Sequence, residues 1–119
     1  MPPRPLILCI EDDDNHLRLR KAVLERNGYD VIGVGNAVDA LAVLRHCPVC
    51  LVLSDHMLRG TSGTQLAESL KKIKANVPIV IHSGTTPGEM KHVDGFLSKT
   101  ASTTQFLAFV RTFVKRYFS

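Results

Sequence analysis

Four acids in a row, Glu11-Asp12-Asp13-Asp14, follow directly on the apolar run Leu6–Ile10. A lone acid, Asp55, closes a second apolar run, "VCLVLSD". Ser83 closes a third, "PIVIHS", and Lys99 ends "GFLSK". Carboxylates crowded into one pocket repel, and one of them would be driven toward protonation. A hard divalent cation removes that conflict. Mg²⁺ takes about six oxygens in octahedral geometry and keeps several waters, so two carboxylates and a carbonyl suffice. No His or Cys cluster surrounds these acids, which argues against zinc. Ser83 and Lys99 add a hydroxyl donor and a compact positive charge, both suited to an anionic oxygen group. Cation, hydroxyl and ammonium around one carboxylate suit phosphoryl transfer, which needs positioning and charge neutralisation more than a strong base. Asp55 alone stands singly at the end of its run, and it is the better nucleophile.

These residues share a pocket only if the chain brings its apolar runs side by side. Leu6–Ile10 has the length and continuity of a strand buried on both faces. Asp14 or Asn15 is placed to cap a helix that runs to about Asn27 and stops at Gly28. Tyr29–Val34 reads as a second strand, and Asn36 as the cap of a second helix ended by Pro48. Val49–Leu53 is a third strand, followed by the loop "HMLRGTSG" and a helix over Thr64–Lys74. Pro78–His82 is a fourth strand and Phe96–Leu97 a short fifth. Thr103 caps a last helix that extends almost to Ser119. Strands alternating with helices predict a parallel sheet with helices on both faces. In such a sheet ligands bind at the carboxyl ends of the strands, where these polar residues lie.

Composition narrows the class. The chain has 119 residues, enough for one domain with a core. Its 45% apolar and 22% charged residues are ordinary for a globular protein. No apolar run approaches the ~20 residues of a membrane helix, and the N-terminus lacks a signal-peptide pattern. A cytoplasmic location, with no membrane contact, is expected. The net charge of +4 comes from scattered Lys and Arg, so direct nucleic-acid binding is not expected. Cys47 and Cys50 are spaced C-x-x-C, but Pro48 interrupts them and no second ligand pair exists. Cys9 and Cys50 read as buried small hydrophobes.

With those residues in place, the sequence resembles the receiver domain of two-component response regulators, the CheY-like superfamily. The stretches "LILCIEDDD", "LVLSDHMLRGTSG", "PIVIHSG" and "GFLSK" occur in the family's order and near its spacing, over almost the whole chain. The resemblance implies a flavodoxin-like α/β fold, a doubly wound five-stranded parallel sheet in the order 2-1-3-4-5. It implies that Asp55 is the phosphoacceptor. Asp12, Asp55 and the backbone carbonyl of Met57 correspond to ligands of Mg²⁺ or Mn²⁺, with Glu11 acting through water. Ser83 corresponds to the switch hydroxyl, Lys99 to the phosphate-binding lysine and Phe96 to the switch aromatic. The expected partner is a sensor histidine kinase or a phosphotransfer protein. The only catalysis expected is self-catalysed phosphoryl acceptance and autodephosphorylation.

The sequence departs from the family in three places. Thr100 follows the lysine where the family usually has Pro, and a trans Lys99–Thr100 bond is expected because a cis bond there costs about 3–4 kcal/mol. Leu58-Arg59 replaces the usual Met-Pro. The span from Ser83 to Lys99 is several residues short, so the fourth helix must be shortened or missing, and Pro87-Gly88 opposes a long one. The last helix carries an apolar stripe wider than a surface helix needs. That stripe fills the space left by the short helix, or it offers a homodimer or target surface at its edges, Phe109 and Phe118.

Other residues have blander readings. Asp13 reads as solvated or as resting near a helix N-terminus, with Asp14 as the cap. His56 reads as a loop residue and His82 as a satisfied residue near the core. One receiver domain over residues 1–119, with no output domain, is expected, either free-standing or part of a larger regulator or hybrid kinase. The alternative function is a receiver-like interaction module acting with little or no phosphorylation. A flavin carrier is disfavoured, because acids after the first strand repel a flavin phosphate.

Overall fold

In the computed structural model, residues 4–118 are described. Five strands, β1 (Leu6–Ile10), β2 (Asp30–Val34), β3 (Val49–Ser54), β6 (Ile79–Ser83) and β7 (Gly95–Ser98), form one sheet in the order β2-β1-β3-β6-β7. All four pairings are parallel. Counting these five strands in chain order, this is the expected 2-1-3-4-5 arrangement. The helices are α1 (Asp14–Arg26), α2 (Ala37–His46), α3 (Gly63–Ile73) and α4 (Thr103–Tyr117).

The sheet is doubly wound because its strands alternate apolar side chains to both faces. Ile7, Cys9, Leu53 and Val80 pack with Leu24 of α1 and with Phe106, Val110 and Phe113 of α4. Leu8, Ile10, Val52 and Ile79 pack with Ala40 and Leu44 of α2 and with Leu66, Ala67 and Leu70 of α3. Every residue of β3 is buried, as befits the centre of the sheet. Cys9 and Cys50 are buried and unpaired. Burial pushes their thiols up to about 12 and about 11, so both are inert at neutral pH.

Helix starts differ from expectation in an instructive way. Asp13, not Asp14, caps α1: its carboxylate accepts from the backbone N–H of Asn15 and His16. Ser62 and Ser102 cap α3 and α4, one residue or more before the expected starts, and Gln65 and Gln105 complete capping boxes. The loop expected after β3 holds a two-stranded antiparallel ribbon, β4 (Met57–Leu58) with β5 (Thr61–Ser62), turned at Gly60 with φ +78.

No helix lies between Ser83 and Gly95. Asp94 fastens the irregular segment that replaces it. Its carboxylate accepts from Ile79 N at 2.8 Å and from Lys71 Nζ at 2.7 Å. No cis peptide bond occurs among the described residues, so Lys99–Thr100 is trans.

The wide stripe of α4 is mostly covered. Phe109 is half-buried, against the expectation of an exposed edge: its ring packs on Phe113 at 5.1 Å and over Gly95. Gly95 permits this, since a Cβ there would stand 2.8 Å from the Phe113 ring. Phe118 is 65% exposed, as expected.

Candidate functional site

The backbone ladder continues past the ends of the strands and aligns their last residues. Glu11 N donates to Val34 O, Asp55 N to Ile10 O and Lys99 N to Ser83 O, each at 3.0 Å. Glu11, Asp55, Ser83 and Lys99 therefore meet at one edge of the sheet. Lys99 Nζ donates to Glu11 Oε2 and to Asp55 Oδ2, both at 2.9 Å. Glu11 is 1% exposed. It is held further by Arg20 Nη2 at 3.3 Å and by the backbone N–H of Asp13 at 3.2 Å. Ser83 Oγ accepts from Thr85 N at 3.2 Å. Asp55 Oδ1 accepts a long 3.4 Å bond from Met57 N. Asp12 stands at the rim, where Arg59 approaches it to 3.9 Å. Phe96 is half-buried in β7, opposite Ile81 of β6.

The turn after Asp55 requires glycine at position 63. A Cβ there would lie 2.5 Å from the Asp55 carbonyl oxygen and 3.1 Å from His56 Cα. Gly63 N donates to His56 O at 2.7 Å, so this backbone cannot move away.

Electrostatics follow from the packing. Burial pushes the Asp55 carboxyl up, but the hydrogen bond and charge of Lys99, with the Ser83 hydroxyl, outweigh burial and hold it below the usual carboxylate range. Burial pulls Lys99 down, and its bonds to Glu11 and Asp55 more than restore it, leaving it raised. The result is an ionised, partly shielded carboxylate gripped by an ammonium.

The donor set offered to a cation is all oxygen: Glu11, Asp12, Asp55 and the carbonyl of Met57. That chemistry fits Mg²⁺. Among the described residues, however, no three acidic, His or Cys side chains are gathered around a common ion position. Lys99 and Arg59 supply the opposing positive charge instead. An ion would have to share Glu11 and Asp55 with Lys99 and draw Asp12 away from Arg59.

Two residues outside the expected set shape the site. Arg20 is 6% exposed and shares its Glu11 oxygen with Lys99. The signal for it is positional: Arg20 lies three residues after Leu17 and four before Leu24, on the inward face of α1. His82 is not the satisfied residue expected, since its enclosed Nδ1 has no hydrogen-bond partner. His56 Nδ1 is in the same condition.

A doubly wound parallel sheet in this order, with acids and lysine at its carboxyl edge, is the flavodoxin-like fold of the CheY-like class. The chain belongs to the response regulator receiver domain family, which it matches over residues 7–111. It is 32% identical over 118 residues to the phosphate regulon transcriptional regulatory protein PhoB of Pseudomonas aeruginosa, covering 92% of this chain and 52% of that protein. It is 34% identical over 85 residues to the uncharacterized transcriptional regulatory protein YbdJ of Bacillus subtilis, covering 71% of this chain and 37% of that one. The chain thus spans about half or less of these curated relatives. Among solved structures, a CheY-like receiver domain protein from Methanospirillum hungatei superposes with TM-score 0.91 at 23% identity, covering 97% of each chain. A receiver protein from Pseudomonas putida superposes with TM-score 0.84 at 25% identity, covering 94% of this chain and 99% of that one. The chain is a receiver domain of two-component signal transduction. Among the described residues no helix is long and apolar enough to cross a membrane.

Proposed function

We propose that the chain is a phosphorylatable switch that accepts a phosphoryl group on Asp55 from the phosphohistidine of a sensor kinase or phosphotransfer protein. The observation that supports this best is Lys99 Nζ, 2.9 Å from Asp55 Oδ2 and anchored by the buried Glu11. Asp55 is ionised well below neutral pH, so it is always available as a nucleophile. Its Oδ attacks phosphorus, and the O–P bond forms as the P–N bond breaks. The imidazole leaves with the electron pair and takes a proton from solvent. Lys99 neutralises a phosphoryl oxygen, and the Ser83 hydroxyl donates to another. Glu11, Asp12, Asp55 and the Met57 carbonyl would hold Mg²⁺, whose charge supports the same oxygens when bound. Ser83 moves toward the phosphoryl group, and Phe96 turns into the space it leaves, which biases the loop face beyond β6 and β7. Water later attacks phosphorus, breaks the O–P bond and returns the carboxylate and free phosphate. A cytoplasmic location and one receiver domain over residues 1–119 belong to this reading.

The test is labelling with a small phosphodonor, with and without Mg²⁺, for wild type and Asp55→Asn. Mg²⁺-dependent labelling lost in the variant is expected. Equal labelling of both proteins would exclude Asp55 as acceptor. One observation favours a second reading, an interaction module working with little phosphorylation: the segment 84–94 carries no helix for a phosphoryl-dependent switch to display to a partner. Absence of labelling in wild type would select it.

A further inference from the structure

Three carboxylates, Glu11, Asp12 and Asp55, stand at the strand-end site, and each has a cation of the chain against it. Lys99 Nζ bridges Glu11 and Asp55, at 2.9 Å from each. Arg20 Nη2 reaches Glu11 Oε2 at 3.3 Å from the inward face of α1. Arg59 Nε stands 3.9 Å from Asp12 Oδ2, at the turn of the β4–β5 ribbon. Asp13 lies outside this balance, since its carboxylate turns to the backbone N–H groups of α1. Arg20 is the costly member. Its side chain is 4% exposed, and its enclosed Nη1 has no hydrogen-bond partner. A buried ion pair adds little stability over an apolar residue, and an unpaired buried donor detracts further. What Arg20 changes is the charge on Glu11. Oε2 of Glu11 receives Arg20 and Lys99, and Oε1 receives the backbone N–H of Asp13 at 3.2 Å. Both oxygens of Glu11 are therefore satisfied from within the chain.

We propose that Arg20, with Arg59 at the rim, is a built-in counter-charge that sets how tightly this site takes a divalent cation, an inference that rests on the reading of the site as a Mg²⁺ position. Three carboxylates with Lys99 alone would leave two negative charges in excess, a match for a dication. Arg20 and Arg59 supply that positive charge from the chain itself. An entering Mg²⁺ then meets a pocket already near neutrality. Its repulsion by Arg20 acts beside a sealed carboxylate, where water and salt screen little. The two arginines differ in how they yield. Arg59, with a side chain 90% exposed, is free to swing into solvent when Asp12 takes the ion. Arg20 is packed in place and stays with Glu11. Both act through carboxylates that would hold the ion, so they are positioning residues and not ligands. The consequence is a resting site that takes Mg²⁺ weakly.

The test is a Mg²⁺ titration with no phosphodonor present, followed by calorimetry and by backbone amide shifts. Wild type is compared with Arg20→Met, Arg59→Gln and Arg26→Gln. Arg20→Met keeps an apolar stem on the inward face of α1 and is expected to tighten Mg²⁺ binding by about fivefold or more. Arg59→Gln, at an exposed side chain and therefore harmless to folding, is expected to tighten it about twofold, because solvent screens that charge. Arg26→Gln removes an exposed charge at the far end of α1 and is expected to leave the affinity unchanged. Shifts should centre on residues 11–12 and 55–57. A purely structural role for Arg20 would loosen the metal site on its loss, not tighten it. If Arg20→Met fails to fold, Arg59→Gln decides. The inference is overturned by unchanged or weaker Mg²⁺ binding in either variant, by shifts centred elsewhere, or by equal tightening in Arg26→Gln, which would assign the effect to net charge. Absence of Mg²⁺ binding in wild type and variants alike would overturn the metal reading and this inference together, whereas equal affinities overturn this inference alone.

Discussion

Glu11 shows how burial and charge make one residue the anchor of a site. It is sealed from water, and two cations and a backbone N–H satisfy its carboxylate. Asp55 is held by the same lysine but remains accessible enough to react. Gly63 protects that arrangement sterically, and Gly63→Ala should cost roughly 1–3 kcal/mol through overpacking against the Asp55 carbonyl. Urea denaturation measures this, and an unchanged midpoint would show that the turn can yield. His82 sets a pH dependence. Its folded-state pKa, about 4, lies below the ordinary histidine value, so below pH ~6.5 the unfolded chain binds more protons than the folded one. Stability attributable to His82 is therefore present above pH ~6.5 and falls as pH drops toward 4. Partial exposure screens this, and the loss is about 1–2 kcal/mol. His82→Phe, which keeps the ring contact with Phe106, should flatten the stability profile over that window. An identical slope in both proteins would assign the effect to other groups.

At the scale of elements, the segment 84–94 carries no helix, where the family resemblance implies a fourth one. It holds its course through Asp94, which occupies the backbone N–H of buried Ile79 and the ammonium of Lys71. Asp94→Ala leaves Ile79 N unpaired next to the sheet and should destabilise by about 1–3 kcal/mol. Hydrogen exchange at Ile79 and along 84–94 should rise with it, and exchange unchanged at Ile79 would mean that another group takes over. The fourth and fifth strands were legible as apolar runs, and the missing helix as a shortage of residues. The ribbon Met57–Leu58 with Thr61–Ser62 was not, because two-residue strands have no period to read. The cap shifts to Ser62 and Ser102 were present in "SGTQ" and "STTQ", where Ser and Gln three apart mark a capping box.

Across the whole molecule, α4 settles where apolar surface is left. Phe106, Val110, Phe113 and Val114 are buried, and Phe109 lies over Gly95 at the sheet's edge. Phe118 is left as the exposed aromatic at the end of that helix, edge-on to Tyr117. Phe118→Ser should change folding stability by less than about 0.5 kcal/mol, as for a surface position. If the helix end joins two copies, sedimentation should show wild type heavier than the variant; equal masses would remove Phe118 from any such contact.

The pattern of the sequence determined the class of sheet and the four positions, Glu11, Asp55, Ser83 and Lys99, that end its strands, while the strand order was implied by the family resemblance. Apolar runs must be buried, and a parallel sheet has one end where following polar residues gather. Asp13 as the cap, Phe109 as a covered ring and Arg20 as the second cation on Glu11 were decided only in three dimensions. The Asp13 cap is local, made with Asn15 and His16, and the open choice was which of the adjacent acids turns into the helix; the other two depend on how separate elements pack. Only packing between α1, β6 and α4 encloses a guanidinium nitrogen and an imidazole nitrogen without hydrogen-bond partners. No spacing along the chain encodes that, because burial of a polar atom is a property of what surrounds it.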